Sequence, residues 1–144
     1  MESSVLLLPP FWLGMVVAVS FLEAPLKFRA PGVTLALGLG IGRLVFRALN
    51  LVELVLAALL LCGLAASGPN VERWAWASLV VGALLAQLLA VRPFLARRTR
   101  QVLARPEEAA ASRSRAHYAY VGLELVKVAG LIALCVLAAL GRSA

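Results

Sequence analysis

Apolar residues run along this chain in four long blocks, broken by short clusters rich in proline, glycine, arginine or asparagine. A helix needs about 20 predominantly apolar residues to cross the hydrocarbon core of a bilayer. The blocks meet that length and predict four spans, at about 9–28, 42–66, 74–94 and 116–140. In the first, Pro9 and Pro10 suit an opening helical turn, where a missing N–H is harmless. Phe11 and Trp12 suit a membrane interface, as do Trp74 and Trp76 at the start of the third. Pro25 is expected to kink or end the first helix. Ala30-Pro31-Gly32 and Ser67-Gly68-Pro69-Asn70 have turn chemistry. The apolar stretch 33–42 is too short to span alone. It reads as re-entrant, as interfacial, or as an early start to span two. A basic stretch, 95–115, is expected to continue span three as a helix into solvent as far as Pro106, with a linker over 109–114. Gly141 ends span four.

The informative positions are the polar ones inside these blocks. Arg43, Arg47 and Asn50 follow one face of the second span, with Glu53 beside them at i+3 from Asn50. Glu53 lies ten residues past Arg43, hence ~15 Å deeper and near the bilayer midplane. Gln87 is the strongly polar interior residue of span three. His117, Tyr118 and Tyr120 open span four, and Glu124 and Lys127 lie inside it at i,i+3 spacing. Glu23 and Lys27, at i,i+4, share a face at the end of span one and are placed to pair. Each ion near the bilayer centre costs roughly 2.5–3.5 kcal/mol on insertion scales, so such groups are expected to turn away from lipid. The candidate ligand- or ion-binding residues are therefore Arg43, Arg47, Asn50, Glu53, Gln87, His117, Glu124 and Lys127, converging in one partly hydrated pocket. Glu53, the deepest, is the strongest candidate for holding a cation or relaying a proton. The alternative is that these groups pair off and fix helix register, Glu124 with Lys127 and Glu53 with a basic residue of another helix.

Composition agrees with this assignment. The chain has 144 residues, 62% of them hydrophobic and only 15% charged, and is expected to form a single all-α domain. The fold class expected is an integral membrane four-transmembrane-helix bundle. The formal net charge of +7 does not point to nucleic acid, because no basic soluble module carries it. It instead sets orientation. Lys27, Arg29, Arg43 and Arg47 flank the first connection. Arg92, Arg97, Arg98, Arg100, Arg105, Arg113 and Arg115 flank the third. The second connection offers Arg73 and the C-terminus Arg142. By the positive-inside rule both basic loops are cytoplasmic and both termini outside. Anionic lipid headgroups are the expected partners of Arg97, Arg98 and Arg100. The N-terminal MESSVLLLPP lacks a positive n-region, so the first block is expected to be retained. The expected location is the cell membrane, multi-pass, and a bacterial inner membrane in particular.

Several chemistries find no support. Cys62 and Cys135 lie in separate apolar blocks without CxxC or Cys/His spacing, so neither a zinc site nor a dithiol centre is expected. Gly38, Gly40 and Gly42 match neither a Walker loop nor a dinucleotide fingerprint; close helix packing or a bend explains them more simply. No Ser/His/Asp constellation is visible. No catalytic residue, metal ligand or cofactor is assigned. Gly14, Gly63, Gly82 and Gly122 offer close-packing sites within a chain or between copies in a homo-oligomer.

Four stretches carry a family resemblance: FWLGMVVAVSFLEAPLKF (11–28), IGRLVFRALN (41–50), VRPFLARRT (91–99) and His117 ahead of span four. Together they resemble a small four-span membrane family of unknown function that includes a human protein linked to tolerance of platinum drugs. Where that family has His-Gly, this chain has His117-Tyr118. The resemblance implies membrane residence and four helices, and supplies no activity. Separately, Arg43, Asn50 and Glu53 look like the R…N-x-x-E pattern on helix two of the membrane-associated eicosanoid and glutathione metabolism proteins. That resemblance implies a trimer, glutathione held by Arg43, Asn50 and Glu53, and thiol activation by Arg92 or Arg97. This chain lacks the tyrosines that family has in span three. Three functions follow as expectations: transport or permeation of an ion or small amphiphile through the polar cluster, a structural or accessory membrane subunit, or a glutathione- or lipid-modifying membrane enzyme.

Overall fold

The computed structural model of the chain describes residues 2–91 and 115–140, with Pro93, Arg97 and Ala104 of the stretch between. Among the described residues there is no strand. Helix α1 (Glu2–Val16) runs into a π-helical turn (Val17–Glu23), a short helix α2 (Ala24–Leu26) and a 3-10 turn (Lys27–Arg29). Helix α3 covers Leu35–Ala66 and α4 covers Val71–Ala86, extended by a second π turn at Gln87–Val91. Helix α5 covers Arg115–Leu140. Among the described residues three segments are long and apolar enough to cross a membrane: Leu7–Arg29, Ala36–Ala66 and Tyr118–Leu140. The chain is a helical membrane protein. The expected linker over 109–114 and the helix end near Pro106 lie outside the described residues.

Local chemistry accounts for the elements and for where they depart from expectation. Pro9 and Pro10 lie inside α1 rather than in its opening turn, because the helix already starts at Glu2. Each proline removes an amide that would bond the carbonyl four residues back; spanning helices tolerate this where neighbours or water meet the freed carbonyl. The α-helical winding ends at Leu26, one residue past Pro25, and passes into the 3-10 turn. The backbone also widens ahead of the proline, with the Ala24 amide donating to the Val19 carbonyl five residues back. A π turn of this kind makes room for the proline ring against the preceding turn. Residues 35–42 of the 33–42 stretch belong to α3, the second long helix. Thr34 caps α3 by accepting from the Leu37 amide at 3.2 Å, a standard N-cap device. The turns before α3 and α4 pass through Gly32 and Gly68, both with left-handed backbone (φ 80° and 83°), which only glycine adopts freely.

Contacts fix the direction in which the helices pass one another. Trp12 meets Glu53, while Lys27 lies against Gly42, so α1 with its extension is antiparallel to α3. Gln87 meets Glu124 and Val80 meets Gly130, so α4 is antiparallel to α5. Phe46 meets Tyr120 and Glu53 meets Lys127. Both pairs step seven residues in the same direction, so α3 and α5 run parallel. The apolar core is built from Trp12, Val16, Leu56, Leu60, Val80, Leu84, Leu131 and their neighbours. Large apolar side chains such as Leu7, Phe11, Leu44, Leu51, Leu59 and Ile132 are exposed on the outside. Five polar residues are buried inside. That arrangement suits lipid as the surrounding medium.

Close approach falls on Gly38 and Gly42, where helix packing was expected, and on Gly130 rather than on Gly14, Gly82 or Gly122. A Cβ on Gly14, Gly82 or Gly122 would meet nothing within 4 Å, so these do not mediate packing within the chain. At Gly38 a Cβ would enter the Phe28 ring, and at Gly130 it would lie 2.6 Å from Val80 Cγ2. Gly130 is thus what lets α5 lie against α4. Gly130→Ala is expected to lower stability by about 1–3 kcal/mol, the usual range for overpacking. Adding Val80→Ala should restore part of that loss, and thermal unfolding in detergent reads both. Equal melting temperatures for the wild type and Gly130→Ala would refute this close contact.

Candidate functional site

The residues that turn inward do so through helical spacing. On α5, Tyr120, Glu124 and Lys127 stand at i, i+4 and i+7, one face of a helix. On α3, Asn50 and Glu53 stand at i and i+3, facing α5. The π turn after α4 carries Gln87, and α1 carries Trp12. Glu53, Gln87 and Lys127 are 0% exposed, Glu124 is 1% and Asn50 is 2%.

Lys127 is the hub. Its Nζ lies 2.5 Å from Glu53 Oε1 and 3.2 Å from Glu124 Oε1. Trp12 Nε1 also donates to Glu53 Oε1, at 3.0 Å. Gln87 Nε2 donates to Glu124 Oε1 at 3.1 Å and to the Tyr120 carbonyl at 3.3 Å. Each carboxylate therefore takes its two donors on one oxygen. The other oxygens, Glu53 Oε2 and Glu124 Oε2, accept no hydrogen bond from the protein, nor do Gln87 Oε1 and Asn50 Oδ1. The cluster thus has a shortage of donors. Ionised throughout, it also holds two carboxylates against one ammonium, a formal excess of one negative charge.

A second charged pair lies at the end of the bundle where α1 passes to α3. Lys27 Nζ is 3.3 Å from Glu23 Oε2, and the Glu23 side chain is 33% exposed against 9% for Lys27. The same ammonium sits 5.3 Å from the centroid of the Phe46 ring and 5.6 Å from that of Phe28, within reach of a cation–π attraction. Phe46 in turn meets Tyr120 edge to face, with centroids 5.5 Å apart and planes at 80°.

The candidate residues therefore divide. Glu53, Gln87, Glu124 and Lys127 converge directly, and Asn50 is buried one turn before Glu53. Arg43 and Arg47 are exposed, on the outside of α3. His117 opens α5, and its side chain lies outside the described residues, as do Arg92, Arg98 and Arg100. Arg97 is exposed. The expected Glu124–Lys127 pair is present, and the expected partner of Glu53 from another helix is the same lysine. The residues that converge are closed off from outside solvent. Trp12 is buried at the cluster instead of lying in an interface belt. An indole N–H buried among apolar groups needs an acceptor, and Glu53 is the one within reach. Trp12 and Phe46 were not legible as site residues. The available signal for Trp12 was its polar N–H within an otherwise apolar block. Among the described residues no group of three or more His, Cys, Asp or Glu side chains is placed to hold a metal ion.

Comparison of the chain with family models, with curated proteins and with solved structures finds no match. Its chemistry is therefore read from its own residues.

Lys127→Met would leave two carboxylates facing each other in an apolar interior. Breaking a buried pair in this way destabilises by about 3–5 kcal/mol, and a loss of that order is expected in detergent unfolding. Adding Glu53→Gln and Glu124→Gln should recover most of it, since the loss comes from uncompensated charge. No recovery in the triple variant would show that Lys127 acts by packing alone.

Proposed function

We propose that the chain is a multi-pass membrane protein that moves a small cation, a proton or a monovalent ion, through the Glu53–Lys127–Glu124 cluster. One observation carries this reading: two fully buried carboxylates share a single ammonium on helices apolar enough to cross a membrane. A net charge held in a low-dielectric interior is costly by several kcal/mol. A cation that reaches the cluster removes that penalty, and one that leaves restores it. The oxygens without donors are acceptors, the chemistry a cation seeks. Ionisable groups within spanning segments mark ion pathways and proton relays by default.

The proposal includes α4 with its π turn as a fourth span, both termini outside and the two basic connections in the cytoplasm. The distribution of Lys and Arg supports this orientation. Reporter fusions at the C-terminus are expected to be active only when the reporter works outside the cytoplasm; the opposite pattern would reverse the orientation.

A structural or accessory role is the second reading. It is favoured by Lys127 bridging both carboxylates, which ties α3 to α5. The glutathione- or lipid-modifying reading draws less support, because Glu53 is engaged by Lys127 and Trp12 while Arg43 and Arg47 are exposed.

Flux in proteoliposomes separates the first two. With an internal pH dye and imposed proton, sodium or potassium gradients, the wild type is expected to conduct one of these ions above empty vesicles. Glu53→Gln, which leaves the Glu124–Lys127 pair balanced, should reduce that flux at least tenfold while the protein remains folded. Absence of flux from folded wild type, or flux indifferent to Glu53→Gln, would favour the structural role.

A further inference from the structure

We infer that Phe46 and Tyr120 form an aromatic gate that controls access of cations to the buried cluster from the Glu23–Lys27 ion pair. The inference rests on the cluster being a cation site, as proposed above.

The contacts form an unbroken series. Glu23 is partly exposed and holds Lys27 at 3.3 Å. Lys27 lies 5.3 Å above the Phe46 ring. Phe46 meets the Tyr120 ring at 5.5 Å. The backbone carbonyl of Tyr120 accepts from Gln87, whose Nε2 also donates to Glu124. Glu124 and Glu53 share Lys127. Phe46, Asn50 and Glu53 stand at i, i+4 and i+7 on one face of α3, so the gate lies ~10 Å from Glu53 along the helix axis. Tyr120 and Glu124 are one turn apart on α5. The two rings thus lie between a partly exposed carboxylate and two buried ones, and each ring is fixed to the helix that carries its own inner carboxylate.

The chemistry of the outer pair fits an access site. A cation arriving at Glu23 competes with Lys27 for that carboxylate. Lys27 is held otherwise by the faces of Phe46 and Phe28, so its displacement frees the Phe46 ring. The polar residues on either side of the rings both lie on π turns, Glu23 at the end of one and Gln87 at the start of the other. Such turns occur frequently at functional sites. Each is followed by a proline two residues beyond its end, Pro25 and Pro93.

The test reads access rather than transport. In a full-length Cys62→Ser, Cys135→Ser background, Asn50→Cys places a thiol one turn inside Phe46. Its rate of modification by 2-aminoethyl methanethiosulfonate, a small cation, is measured in proteoliposomes. The rate is expected to be slow with Phe46, slow with Phe46→Trp, and at least tenfold faster with Phe46→Ala. A thiol at Leu60→Cys, buried further along α3, should stay slow in all three. Equal rates at Asn50→Cys with and without the Phe46 ring would overturn the gate. A matching rise at Leu60→Cys would overturn it too, because the protection would then be general packing. Faster labelling at Asn50→Cys alone, in a protein that carries no flux, would support the gate and remove the transport reading.

Discussion

Two helices of this protein meet at one ammonium group, and two further segments close on the carboxylates it holds. Lys127 reaches from α5 to Glu53 on α3, and to Glu124 one turn back on its own helix. Trp12 of α1 closes on the same Glu53 oxygen, and Gln87 closes on the Glu124 oxygen. The ions are tolerable only because these groups face one another, since each alone near a bilayer centre costs roughly 2.5–3.5 kcal/mol on insertion scales. The apolar core is wrapped around that point. As a source of stability the arrangement is poor: a buried ion cluster replaced by well-packed apolar residues is often neutral or stabilising. The cation exchange proposed above would draw on this donor-poor, charge-imbalanced centre.

The ends of the helices are shaped to serve that centre. Two helical segments change from α to π winding ahead of a proline, at Val17–Glu23 and Gln87–Val91. Gln87 opens one of these turns and Glu23 closes the other. The glycines that matter lie at the crossings: Gly38 and Gly42 admit Phe28 and Lys27 against α3, and Gly130 admits Val80 against α5.

Much of this was legible in the sequence. Block length and turn chemistry located the end of α3, the start of α4 and the whole of α5 to within a few residues, because hydrophobic length is a direct measure of what a bilayer demands; α3 itself starts at Leu35, seven residues ahead of the expected span. Helical spacing joined Glu124 to Lys127 and placed Asn50 beside Glu53. What spacing along one helix does not contain is the rotation of that helix against its neighbours. Arg43 and Asn50 lie seven residues apart, yet one is exposed and the other buried. Trp12 has the composition of an interface residue and the position of a core residue. Only the crossing of α1 over α3 decides between them. The π turns were hidden for a related reason: they are responses to Pro25 and Pro93, and their hydrophobic pattern is that of an ordinary helix.

The parallel alignment of α3 and α5 bears on how the molecule is made. Glu53 emerges from the ribosome long before Lys127, with 74 positions separating them in the chain. During that interval α3 must be held at the translocon or in the bilayer with its carboxylate lacking its cation. Trp12, already synthesised, is the donor that α1 can offer in the meantime. Insertion of the last helix therefore supplies more than another span. It delivers the missing countercharge, so assembly of the bundle is completed from the C-terminal end and a truncated nascent product lacks the ion pair on which its second long helix depends.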